Sequence, residues 1–265
     1  MRKIGVVLPW DSPFIWRHSM ENMLNWNRPK DTEVNFFFGK GWCAAARHNH
    51  GVEKALDWGA DLIVFAGSDH IVERDYLVKL YANVFDDGWD MATGIISSRG
   101  AFVREGGVFT YWAFRGMDIP YPPKWGETGF RKLEGKLPGF AYDHITTTPR
   151  LWQRLGKDAP SQEIQCVGTG TLAVRKEVFE AMPRPWFREQ LLEDDENFRR
   201  HATNDTAFVA AAVFEYGFRL WLNTDIDARH LEIFPIDETY SERFADKKEE
   251  SHWSPIGSVL DQDNF

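Results

Sequence analysis

The feature that most constrains this chain is the alternation, over its first hundred residues, of short wholly apolar runs with segments of helical character. Lys3-Ile4-Gly5-Val6-Val7-Leu8 is one such run, stopped by Pro9. It lacks the polar-out alternation of a half-exposed strand and reads as a strand buried on both faces, as in a parallel sheet. Residues 33–38, Asp61-Leu62-Ile63-Val64-Phe65 and residues 90–96 read as further strands. Between them lie helical patterns at 14–26, 44–58 and 76–85, the second stopped by Gly59. Strand and helix in strict alternation make repeated βαβ units. The expected fold class is therefore α/β, a mostly parallel sheet covered by helices on both faces.

Beyond residue 100 the pattern changes. Residues 100–165 are rich in Gly, Pro and aromatic side chains and have little periodicity. Residues 101–114 predict a β-ribbon or loop, and 121–165 an elaborated surface region. Regularity returns at Cys166-Val167-Gly168-Thr169-Gly170-Thr171-Leu172-Ala173-Val174, a Gly-rich turn entering a strand. A short helix at 176–182 closed by Pro183, an apolar helix at 203–216 and strands at 219–223 and 226–231 complete the pattern. The expected organisation is one domain over 1–240 with a variable region at 97–165, then a surface tail at 241–265. A chain of 265 residues can bury the core this needs without disulfides.

Composition removes several classes of function. The longest apolar run, residues 207–214, falls far short of the roughly 20 residues of a membrane helix. The N-terminus shows no signal-peptide pattern. Two cysteines, Cys43 and Cys166, are too few for a disulfide framework or a structural zinc site, so a reduced, cytoplasmic setting is expected. A net charge of −9 disfavours a protein built to grip nucleic-acid phosphates. Twelve tryptophans call for packing or stacking. Most suit a core, while Tyr111, Trp112, Phe114, Tyr121 and Trp125 in the irregular region are candidates to stack on a pyranose or a base.

Asp69 carries the first chemical signal. It stands just past the buried run ending at Phe65, where ligands of open α/β sheets bind. A carboxylate there can ligate a hard divalent cation that holds a diphosphate. The structural alternative is that Ser68-Asp69 caps the next turn. His70 follows as a lone histidine expected at the surface.

Arg47, Asn49 and Gly51 on a helix, then Gly59-Ala60-Asp61 and Phe65, then an acidic residue at the strand end, resemble the GT-A glycosyltransferases, the inverting family 2 in particular. Gly67-Ser68-Asp69 stands where that family has Asp-x-Asp, so the second aspartate is kept and the first is replaced by glycine. The Gly-rich segment from Val167 to Val178, with Pro185-Trp186-Phe187 after it, is similar to the family's acceptor-side turn, although an ordinary tight turn has the same residues. Asn204-Asp205 opening a helix, Gly217-Phe218 before a strand and the late His230 complete the match. The resemblance covers about residues 3–96 and 165–231. It implies that Asp205 is the general base and that His230 joins Asp69 at the metal. Asn204 replaces the usual glutamate. A carboxylate at position 205 also suits a helix N-terminus through the dipole alone.

The resemblance implies a metal-dependent, inverting, hexosyltransferase-like enzyme. It would move a sugar from a nucleotide diphosphate sugar to a hydroxyl acceptor, which is a saccharide, lipid, protein or modified nucleic acid. The expected donor site is Pro9, Trp10 and Asp11 at the first strand end, with Arg47, Ser68 and Asp69. The expected metal is Mn²⁺ or Mg²⁺, held by Asp69 and His230. Two alternatives compete with this reading. A nucleotidyltransferase wants a Gly-rich, basic signature after the first strand, which Pro9-Trp10-Asp11-Ser12-Pro13 lacks. A non-catalytic nucleotide- or sugar-binding protein of the same fold would account for Gly67 and Asn204.

Overall fold

A computed structural model describes residues 1–10, 17–96, 110–117, 140–143, 150–156, 160–188, 190–195, 198–202 and 204–230. Residues 1–230 form one compact unit and 231–265 a second, which lies outside the described residues with the expected tail. The strands are β1 (Arg2–Leu8), β2 (Thr32–Phe38), β3 (Leu62–Phe65), β4 (His70–Val72), β5 (Met91–Ile96), β6 (Thr110–Met117), β7 (Phe140–Asp143), β8 (Arg150–Gly156), β9 (Gln162–Ile164), β10 (Cys166–Val167), β11 (Ala173–Arg175), β12 (Gln190–Asp195), β13 (Phe198–Ala202) and β14 (Leu220–His230). The helices are α1 (Arg17–Leu24), α2 (Ala44–Asp57), α3 (Tyr76–Phe85), α4 (Lys176–Ala181) and α5 (Asn204–Phe214).

The main sheet has the order β2-β1-β3-β11-β5-β14-β4, with β9 also on β14. Strands β1, β2, β3, β5 and β14 run one way, and β4, β9 and β11 run against them. The sheet is thus mixed and mostly parallel, as expected. Strands β1, β3 and β5 read as unbroken apolar runs because both of their faces are covered. Val7, Ile63, Phe65, Val174, Met91 and Leu220 face a core built with α2, α4 and α5. Ile4, Val6, Leu62, Val64, Ala92 and Ala228 face a second core built with α1 and α3. Helix α2 buries Ala45, His48, Val52 and Ala55 at helical spacing. It approaches β1 so closely that a Cβ on Gly51 would stand 2.4 Å from Val7 Cγ1.

The expected strands at 219–223 and 226–231 form one strand, β14, whose pairing with β5 shifts register between Leu222 and Asp227. Side chains satisfy the backbone inside that irregularity. The Thr224 amide donates to Ser161 Oγ and the Asp225 amide to Asn223 Oδ1, so the strand continues through it. The irregular middle region contains β6–β9. Strands β10, β6, β8 and β7 form a four-stranded antiparallel sheet, and β12 and β13 form a separate pair; of the expected ribbon or loop at 101–114, residues 110–114 lie on β6 and 101–109 fall outside the described residues. Among the described residues no helix is long and apolar enough to cross a membrane.

Candidate functional site

The C-terminal ends of β1, β2 and β3 lie side by side in register, so the segments that follow them share one end of the sheet. The Ala66 amide donates to Val7 O and the Gly39 amide to Leu8 O, which holds the three exits together. Trp10 donates its indole N–H to Ala66 O at 3.3 Å and packs edge-on against Phe38. Beyond β2 the Trp42 side chain is 89% exposed, unusual for so large an apolar group. Arg47, in the first turns of α2, donates to Gly41 O at 3.3 Å and so borders the same loop. Pro9 and Ser68 are half-buried at this end, and Asp11 lies outside the described residues.

Asp69 is buried, with Oδ1 3.3 Å from His70 Nδ1. His70 is buried too, contrary to the surface position expected of it. The reason is a slot between two glycines. A Cβ on Gly67 would stand 1.8 Å from His70 Nδ1, and one on Gly170 would stand 3.0 Å from His70 Cε1. Gly67 is therefore the residue that admits the imidazole. The α1 side chain of Asn22 accepts from the Val72 amide at 3.0 Å and donates to the Val72 carbonyl at 2.7 Å, which pins the short strand carrying His70. On β14, His230 pairs with His70 in register.

The Gly-rich turn is a single 3₁₀ turn, Thr169–Thr171. The Thr169 amide donates to Asp205 Oδ2 at 3.3 Å. Asp205 lies in the first turn of α5, which is anchored by Phe208, stacked at 8° on Phe179, and by Val209 and Ala212. Asp69, His70, the turn and Asp205 thus form a contiguous series.

Sequence patterns gave no role to His48 or Thr169, and both prove central to this end of the molecule. His48 Nε2 lies 2.9 Å from Thr169 Oγ1, and Nδ1 lies 2.8 Å from Ala44 O. Burial holds its pKa below the usual value, partly opposed by the Ala44 carbonyl and the charge of Asp205. Asn49, one residue on, donates to Phe187 O at 2.8 Å and accepts from Phe187 N at 3.0 Å. Asn49 is therefore a clamp on the Pro185-Trp186-Phe187 segment. Of the aromatic candidates, Tyr111, Trp112 and Phe114 lie on β6, while Tyr121 and Trp125 fall outside the described residues.

Among the described residues no three His, Cys, Asp or Glu side chains gather as a metal cluster. Asp69 supplies one carboxylate, with the His70 imidazole beside it. Such a donor set fits a cation that takes its remaining ligands from a diphosphate and water.

No protein-family model matches the chain, and no curated protein matches it in sequence. Among solved structures, A197 from STIV aligns over 88% of this chain and 87% of its own at 15% identity, with a TM-score of 0.52. GalNAc-T7 with UDP, GalNAc and Mn²⁺ aligns at 11% identity and a TM-score of 0.48; this chain spans 44% of it. TarS 1-349 of S. aureus in complex with UDP-GlcNAc aligns at 8% identity and 0.41, with 59% of its length spanned. The chain adopts the α/β class expected of it, a mostly parallel sheet flanked by helices, and shares that fold with A197.

Proposed function

We propose that this protein is a glycosyltransferase that moves a sugar from a nucleotide diphosphate sugar to a hydroxyl acceptor with inversion at the anomeric carbon. The observation that carries the reading is the Gly-rich turn. It packs against His70, next to Asp69, on one side and bonds Asp205 through its amide on the other. A leaving diphosphate and an acceptor hydroxyl need that juxtaposition. In this reading the acceptor oxygen attacks the anomeric carbon, the bond to the diphosphate oxygen breaks, and Asp205 takes the hydroxyl proton. Pro9, Trp10, Arg47 and Ser68 would serve the donor side, together with Asp11, which is assigned to it from the sequence alone. Asp69, with His230 on the adjacent strand, is the place for Mn²⁺ or Mg²⁺, which would offset the charge growing on the diphosphate. An imidazole neighbour suits Mn²⁺ better than Mg²⁺.

Nucleotide release from UDP-, GDP-, CDP-, ADP- and dTDP-sugars, with and without Mn²⁺, tests this directly. Asp205→Asn keeps the shape and loses the proton acceptor, so turnover should fall by about 10²-fold or more. Its melting temperature should barely change. Nucleotide and Mn²⁺ together should raise the melting temperature more than either alone. Binding without turnover of any donor would identify a non-catalytic nucleotide-binding protein. No stabilisation by any of the five nucleotides would overturn the reading altogether.

A further inference from the structure

The Ala44 carbonyl only accepts, so a neutral His48 carries its proton on Nδ1, and Nε2 is an acceptor facing the Thr169 hydroxyl. The ring has little freedom to leave that arrangement. It stacks on Phe187 at 4.7 Å and packs against Phe65, and the residue is only 6% exposed. Phe187 is itself held by Asn49. Thr169, with its hydroxyl committed to Nε2, directs its backbone N–H at Asp205 Oδ2. We propose that His48 is a positioning residue: from inside α2 it fixes the Thr169 hydroxyl, and through the Thr169 amide it fixes the carboxylate of Asp205. The proposal rests on the reading of Asp205 as the base for its catalytic meaning, but the coupling itself does not.

Protonation of His48 turns Nε2 from acceptor to donor, so the bond to Thr169 Oγ1 reverses and the hydroxyl proton is freed to turn to another acceptor. The charged groups that bear on the ring are Asp205 from α5, which favours the protonated form, and Arg47 from its own helix, which disfavours it. Phe65 and Phe187 present uncharged rings. A residue that merely filled space here would be replaced well by another aromatic ring. A positioning residue would be replaced better by a side chain that restores the acceptor.

Three measurements on the full chain decide between these roles. In nitrogen NMR, wild-type His48 should show an unprotonated Nε2 when neutral, and its titration midpoint should move further down in Asp205→Asn. Amide exchange should show Thr169 N–H losing protection by about 10-fold in His48→Phe, the scale of one hydrogen bond. His48→Gln, whose side-chain oxygen can stand near the Nε2 position, should recover most of that loss. The Met91 amide, which bonds Arg219 O, serves as the internal control and should not change. With a donor in hand, His48→Phe should lower kcat and leave the donor KM within about 2-fold, because uniform donor binding is untouched. An Nε2-protonated tautomer, a midpoint unmoved by Asp205→Asn, or equal Thr169 protection in the Phe and Gln variants would overturn the proposal. If Asp205→Asn retains full turnover while the exchange and titration results hold, the base assignment falls and the coupling stands.

Discussion

Asn49→Ala separates two meanings of a residue that the sequence pattern marks for function. The asparagine makes two bonds to the backbone of Phe187, at 2.8 and 3.0 Å, and a third to Ala45 O inside its own helix. Truncation leaves the Phe187 N–H and C=O without those partners, in a residue only 1% exposed. Each orphaned group costs about 1–3 kcal/mol when sealed from water. Asn49 is half-buried, so water can reach part of the gap and the lower end applies, roughly 2–3 kcal/mol for the pair. Alanine returns about 0.5 kcal/mol through its higher helix propensity. The net loss should be about 1.5–2.5 kcal/mol, read in urea as a lower midpoint with an unchanged slope. Asn49→Asp should be at least as damaging, because a carboxylate oxygen would face Phe187 O where a donor stood. Stability within about 0.5 kcal/mol of wild type, together with weakened nucleotide binding, would refute the clamp and make Asn49 a ligand-binding side chain.

Gly67→Ala should cost about 1–3 kcal/mol through collision with His70, and most of that should disappear in a His70→Ala background, as a double-mutant cycle of melting curves would show. By the same geometry, placing an aspartate at position 67 should destabilise the protein. Phe208→Ala should cost about 3–5 kcal/mol in chemical unfolding, since the ring is 2% exposed and stacked on Phe179. His48 adds an acid-side dependence of stability. Its folded pKa is lowered, so the unfolded chain binds the proton more readily. Its contribution is complete above an unfolded value of about 6.5 and declines as the pH falls from there toward the folded value. His48→Gln should flatten that part of the profile in denaturant melts taken between about pH 5 and 8.

The βαβ half of the molecule was legible because its strands are buried on both faces and its helices carry clear apolar stripes. Helix α3 falls where the pattern places it, at Tyr76–Phe85, and α2 ends within one residue of expectation. Strand β4 was missed because its three residues give no period to read, and it is held by Asn22 from a helix some fifty residues away. The reversal of β11 between β3 and β5 was equally invisible. Three apolar residues state that a strand is buried but not which way it runs. In the sequence, Asp69 and Asp205 stand out by their positions at a strand end and a helix start. The pairing of His48 with Thr169 does not, because it spans 121 residues of chain, and the Gly-rich turn that contains Thr169 gives no sign of its partner.

A larger side chain at position 67 and the imidazole at position 70 would meet in one slot, so the glycine at 67 and the buried histidine at 70 depend on each other. Asparagine recurs as the means of holding such segments. Asn22 binds both backbone groups of Val72 beside His70, and Asn49 binds both backbone groups of Phe187 beside His48. A side-chain amide carries its donor and its acceptor on separate atoms of one plane, so it can donate to a carbonyl and accept from an amide at once, as a neighbouring strand would. Each asparagine therefore replaces a missing strand partner at a point where the chain leaves regular structure to carry a polar residue. The rigidity of this end of the sheet is thus supplied by helices α1 and α2, and a loss of either clamp should loosen the polar residues before it unfolds the core.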